Sequence, residues 1–369
     1  MNLFFSRSIF IFIAFLFTLP LLSAPDLFEA IGWEDESELK KAIQAGGYVN
    51  QVDPSQGLSI LMKTIETMKP NLVKALLDSK ANVNLKLPKT QKTALMHFME
   101  KYIMNSETDE NDKTIYKDDE AMISIFNLLM NAGAKATDTD SDGKSILSYA
   151  MDSSYASQSE VIMNKLIALK VDPNSHFSKD IPKPICLKAA EDTSSNLRYA
   201  FKLFIRQKLC DPNREYSERN QRRTTLLYIA ISKKDLEEIQ LLLDAGANPN
   251  LGASDTMMEY LPIYQVITDF EILELLLRHK ANPNSIENGI HLMEHAARNV
   301  TDDETGEKII DLLLKYGSDI NHSKLFDSYT PYNKAVYAAH IVGKYRIEKY
   351  LEKKGAVTSD KLKAKKGKK

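Results

Sequence analysis

Apolar residues along this chain fall into short helical clusters rather than into strand-like alternation. The run Ile239-Gln-Leu-Leu-Leu-Asp-Ala-Gly246 places apolar side chains at i, i+3 and i+4 and closes on glycine. That is an amphipathic helix ended by a residue that turns left-handed without a Cβ clash. Ile272–Leu277, Ile309–Leu314 and Ile125–Met130 share the design, and glycines recur at helix ends at Gly133, Gly317 and Gly355. After each such helix comes a polar mark: Asn50, Asn84, Thr137, Asn174, Asn213, Asn250, Asn284, Asn321 and Thr358. These marks lie 34 to 39 residues apart, except for one gap of 53. A polar loop then leads to a shorter helix with apolar residues four apart, as in Ile146 with Ala150, Ile185 with Ala189, Leu226 with Ala230 and Leu292 with Ala296. The small second residue lets two helices approach closely.

The pattern predicts an all-α solenoid of about nine helix-turn-helix repeats with hairpin loops, spanning residues 26–358. One helix pair cannot bury its apolar stripe alone, so stacked pairs share one elongated core. Its ends are polar, as caps require: Glu34-Asp-Glu-Ser-Glu38 at one, Lys349, Glu352, Lys353 and Lys354 at the other. The wide gap is an insertion in the third repeat, residues 105–119, acidic and without periodicity. It reads as a projecting mobile loop, either a partner-binding finger or a tolerated insertion.

This period resembles the ankyrin repeat, in which a threonine-proline-leucine-histidine turn precedes an alanine-bearing helix, a leucine-rich helix, glycine-alanine and an asparagine. Thr330-Pro331 reproduces the turn dipeptide, and Asp140-Ser-Asp-Gly-Lys-Ser-Ile-Leu147 the loop and helix start. The turn histidine position holds Leu227, Cys186, Met293 and Asn333. The resemblance implies a binding scaffold that holds other proteins on loop tips and a concave face.

Composition adds the address. With 369 residues, 43% of them apolar, 27% charged and a net charge of −2, the chain is ordinary globular material rather than a disordered or nucleic-acid-binding polyelectrolyte. Residues 1–24 read as an export signal: Arg7, an apolar stretch through Ile9–Phe17, and small residues at Ser23 and Ala24. The expected location is therefore periplasmic or secreted, with a retained anchor as the alternative. No later segment approaches the length of a membrane span. The tail, residues 359–369, carries six lysines. It reads either as a contact for an anionic surface or as a solvated disordered end.

Several residues invite sharper chemistry. His291-Leu-Met-Glu-His295 spells an inverted zinc-peptidase signature, with Glu294 as base. The same stretch is also a first helix with Leu292 and Ala296 facing inward, so no metal is expected. Asp138-Thr-Asp-Ser-Asp-Gly143 opens like a calcium loop, but Tyr149 stands where a bidentate glutamate belongs. Its aspartates equally suit a hairpin turn. Cys186 and Cys210 flank an antiparallel helix pair and read either as a disulfide or as two small buried side chains. No catalytic signature or phosphate-binding loop is present, and no cofactor is expected.

The primary expectation is a non-enzymatic, monomeric scaffold with a protein partner and no nucleic-acid ligand. The candidate partner-binding residues are Tyr216, Arg219, Arg222, Arg223, Met257, Met258, Tyr260, Phe326 and Tyr329, large apolar or basic residues in or beside loops. The resemblance also admits an accessory to a haem or metal enzyme such as catalase in oxidant defence, or a secreted host-directed effector.

Overall fold

The computed structural model describes residues 26–108, 114–153, 155–156, 159–192, 195–217, 222–255, 257–321 and 334–356. The export segment, the basic tail and the candidates Arg219, Phe326 and Tyr329 lie outside these residues. The described chain is mostly helical. Its helices follow one another as a first and a second member: α1 (Leu27–Gly32) and α2 (Glu36–Gln44), α3 (Ile60–Glu66) and α4 (Pro70–Asp78), α5 (Ala94–Lys101) and α6 (Glu120–Asn131). Next come α7 (Ile146–Asp152) and α8 (Glu160–Ala168), α9 (Ile185–Glu191) and α10 (Ser195–Arg206), and α11 (Leu226–Lys233) and α12 (Leu236–Asp244). The last are α13 (Pro262–Gln265) and α14 (Phe270–Arg278), α15 (Leu292–Asn299) and α16 (Asp303–Lys315), and α17 (Lys334–Ile341) and α18 (Tyr345–Lys353).

Two layers result. First helices pack on first helices, as in α1–α3–α5–α7 and α9–α11–α13, and second helices on second helices, as in α2–α4–α6 and α10–α12–α14–α16–α18. A single cluster of buried residues runs between them from Leu27 to Ala356. Short polar side chains set the helix starts. Ser59, Thr93, Ser145 and Thr225 accept from backbone N–H groups at the starts of α3, α5, α7 and α11. Asp35, Asp119, Asp235, Asp269 and Asp302 do the same for second helices. At the helix ends, Gly133, Gly246, Gly317 and Gly355 take the left-handed conformation. So do Lys80, Lys170 and Lys280, where the pattern offers no glycine.

Successive units are joined by an asparagine ladder. The Nδ2 groups of Asn84, Asn213, Asn250, Asn284 and Asn321 donate to Gly133 O, Gly246 O, Lys280 O, Gly317 O and Gly355 O, at 2.9–3.1 Å. The Oδ1 atoms of Asn50, Asn84, Asn213, Asn250 and Asn284 accept from backbone N–H groups of the following unit at 2.6–2.9 Å. At Asn84, Asn174, Asn213, Asn250, Asn284 and Asn321 the residue two before, such as Asn248 or Asn282, accepts from the mark's own N–H and fixes the turn.

Strands are few and short. Contrary to the expected loop, the insertion carries a hairpin, β1 (Met104–Thr108) antiparallel to β2 (Thr114–Asp118). Its second arm includes Thr114-Ile115-Tyr116, β-branched and aromatic residues suited to a strand. Below it, the Tyr102 hydroxyl donates to Asp118 at 2.5 Å. Before the later first helices, β3 (Tyr216–Ser217), β4 (Arg223–Thr224), β5 (Ala253–Ser254) and β6 (Glu259–Tyr260) form one four-stranded antiparallel sheet, followed by the pair β7 (Ile286–Glu287) and β8 (Ile290–His291).

If the ladder docks one unit on the next, Asn250→Ala removes two such bonds at once. Urea unfolding of this variant should show a loss of about 2 kcal/mol, at a net ~1 kcal/mol per bond. An unchanged midpoint would assign the docking to apolar contacts alone.

Candidate protein-binding surface

The sheet β3–β6 is where two hairpins fuse. Arg223 of β4 lies opposite Ser254 of β5. Its Nε donates to the Ser254 Oγ at 3.1 Å and its Nη1 reaches Glu215 Oε2 at 3.4 Å. Asp255 builds the turn beyond β5. Its Oδ1 accepts from the N–H groups of Met257 and Met258, and its Oδ2 from the Tyr260 hydroxyl, all at 2.9 Å. These donors hold the Asp255 carboxyl below its ordinary range. Gly252 lets the two arms approach, since a Cβ there would sit 1.8 Å from Tyr260 O. The far side is closed by the next hairpin: Asn288 Nδ2 donates to Glu259 O, and Leu261 N–H donates to Glu287.

This turn presents two thioethers to solvent. Met257 is 88% exposed and Met258 49%. Arg222 and Arg223 stand beside them, both exposed. Tyr260 is half-buried, its hydroxyl committed to Asp255. Tyr216 departs from the expectation of an exposed anchor. Strand alternation turns it into the core and Ser217 outward. The Tyr216 ring lies under Arg214, 5.3 Å from Cζ, and its buried hydroxyl has no hydrogen-bond partner among the described residues.

The two candidate histidines have separate roles. His291 is buried at the start of α15, where its Nδ1 accepts from Met293 N–H. His295 packs on the Tyr264 ring at 4.9 Å and lies 3.2 Å from the Asn299 amide. Glu294 pairs with Arg298 at 3.3 Å. Among the described residues, no three histidine, cysteine or carboxylate groups gather as a metal site requires. The calcium-like loop is a turn. Asp140 Oδ1 accepts from Asp142 and Lys144 N–H, and the hydroxyl of Tyr149, at the glutamate position, donates to Oδ2 at 2.7 Å.

Cys186 and Cys210 are bonded, with Cα atoms 6.0 Å apart, and both are buried. The bond closes the start of α9 on the end of α10.

A further set escaped the sequence reading. Lys92–Glu100, Lys144–Asp152 and Lys183–Glu191 are ion pairs eight residues apart, at 2.7–2.9 Å, each spanning a first helix. Lys92 and Lys144 also lie over the Tyr149 ring, and Lys144 and Lys188 over Phe177. The signal was a lysine two residues before the helix and an acid at its far end, three times over. Nearby, buried His97 has Glu66 Oε1 at 3.3 Å from Nε2 and Glu100 Oε2 at 3.8 Å from Nδ1.

No family model matches the chain. A 132-residue stretch, 35% of the chain, is 32% identical to human Ankyrin repeat and SOCS box protein 14, covering 20% of that protein. A 102-residue stretch, 27% of the chain, is 34% identical to the mouse protein of the same name, covering 16% of it. The similarity supports an ankyrin-repeat family. A 99-residue stretch is also 35% identical to bovine Dynein axonemal heavy chain 12, covering 26% of each chain. The matched stretches thus span about a quarter or less of each relative.

Two outcomes test these assignments. Replacing both Cys186 and Cys210 by serine should lower stability by roughly 3 kcal/mol in urea, the loop-closure effect for a bridge of this span. Burial holds the His97 and His295 imidazoles below their ordinary range, with Glu66 and Glu100 opposing this at His97. Below about pH 6.5 the unfolded chain therefore binds more protons than the fold. Stability should be complete above that pH and fall as pH drops toward the depressed folded values. His97→Gln should make the fall shallower; an equal slope in the variant would remove His97 from the account.

Proposed function

We propose that this chain is a non-enzymatic scaffold of about nine ankyrin-type repeats, residues 26–358, that docks a protein partner through its hairpin tips in an exported compartment. The observation that carries the docking reading is the Asp255-built turn. It holds Met257 and Met258 in solvent at the side of Arg222 and Arg223, on a sheet shared by two units. Methionine, arginine and aromatic residues are enriched at interface centres, and a preordered turn lowers the entropy cost of association. Among the described residues, no helix is long and apolar enough to cross a membrane. Export is supported by the N-terminal charge and apolar pattern and by a buried cysteine pair at bonding distance. The working state is a monomer, periplasmic or secreted.

Crosslinking in the exported fraction tests this reading. Met257→Ser with Met258→Ser and Arg222→Ala should reduce recovery of the captured protein at least about tenfold, as loss of interface anchors does, with the helical circular dichroism unchanged. Capture at the parental level would move the interface off this turn. Recovery of the chain in the cytoplasmic fraction would refute export.

A further inference from the structure

Neighbouring hairpins in the row are not all joined by backbone pairing. The hairpins before α11 and α13 pair directly, Arg223 opposite Ser254. The hairpin before α9, residues 176–184, closes on itself instead, through the His176–Pro184 bridge and the Phe177 N–H donating to Lys183 O at 2.8 Å. Its returning arm contains Pro182 and Pro184, which have no N–H to offer a neighbour. Among the described residues no backbone hydrogen bond joins this arm to β3. Between them lies a groove of about 600 Å³, walled by Ile181, Pro182, Pro184 and Leu187 on one side and by Arg214 and Tyr216 on the other.

β3 is therefore an edge strand beside an open space. The opposite edge, β6, is already engaged by Asn288 and is followed at Leu261 by the Glu287 contact. An unpaired edge is a template for an added strand. The side chains around it define what that strand should carry. Arg214 is exposed and has no carboxylate partner among the described residues; it reaches Asn174 Oδ1, at 3.3 Å, and the Tyr216 ring. Glu215 and Lys183, which also line the groove, are committed to Arg223 and Glu191. Among the described residues the Tyr216 phenol has no hydrogen-bond partner, and burial pushes its pKa up to about 12, so it remains a donor at neutral pH. The wall of Ile181, Pro182, Pro184 and Leu187 suits an apolar side chain. Asp180, also in the groove, disfavours a second acid.

We propose that this groove binds an extended peptide segment of a partner protein, added as a strand to the free edge of β3, with an apolar side chain against the proline wall and one carboxylate on Arg214. The proposal rests on the scaffold reading and names a second contact for it.

The test presents the full chain to a phage-displayed library of random eight-residue peptides. Enriched peptides should hold an apolar residue and an Asp or Glu two positions apart, the spacing that puts both on one face of a strand. Synthetic copies should bind with affinities that fall about tenfold on Arg214→Gln and about fivefold on Tyr216→Phe, in line with loss of a charged and a neutral hydrogen bond. Tyr216→Phe keeps the buried ring, so its thermal unfolding should match the parent. Alternate N-methylation of the peptide backbone in one of the two registers should abolish binding. Enriched peptides whose affinity survives Arg214→Gln and Tyr216→Phe would overturn the groove and leave the scaffold reading standing. Acid-free or basic consensus peptides would overturn the carboxylate assignment and the proposal with it. An empty selection would overturn the groove, while capture through Met257 and Met258 decides the scaffold reading separately. Sedimentation showing a dimer that dissociates on Arg214→Gln would give the groove to a second copy and also refute the peptide.

Discussion

A side-chain amide at most unit junctions carries much of the architecture. At Asn84, Asn213, Asn250 and Asn284 the Nδ2 donates to the carbonyl that ends the next second helix, and the Oδ1 accepts from the N–H beyond it. Those carbonyls and N–H groups sit where a helix has stopped and cannot satisfy them itself. The asparagine therefore solves two problems together: it caps a helix end and fixes the distance between units. The apolar core supplies attraction without direction, whereas the ladder sets the register in which neighbouring pairs stack. Thr137 occupies one such place and has no amide. Among the described residues no bond of this kind crosses that joint.

Much of this architecture is legible in the amino-acid sequence. Leucine spacing gave the second helices, and the alanine four residues along gave the close first helices. The asparagine period gave the repeat, because the amide recurs at most junctions between units. Left-handed helix ends were legible only where glycine stands. Lys80, Lys170 and Lys280 adopt the same conformation under tertiary control, and lysine gives no local sign of it.

The functional surface was less legible, because strands of two residues leave almost no periodic trace. Tyr216 looked like a loop residue and is a core residue, turned inward by its place in β3. Met257 and Met258 were visible as apolar residues in a polar loop, but the role of Asp255 in holding them needs a carboxylate to fold back on two N–H groups and a hydroxyl. His291 opens an inverted zinc-peptidase signature that reads equally as a plain helix start, and its Nδ1 does the work of a serine or threonine there. The lysine–acid pairs across α5, α7 and α9 were hidden because a spacing of eight crosses from a loop onto a helix. Such partly exposed pairs add little stability individually.

Cys186 and Cys210 belong to one helix pair, not to neighbours, and are 24 residues apart in sequence. A pull applied at the two ends of the chain bypasses everything between those sulfurs. Under tension that stretch contributes only the width of the bridge to the extended contour, so the oxidised chain pays out a shorter thread than the reduced one. The bridge thus limits how far the chain can be drawn out, without fastening any unit to the next.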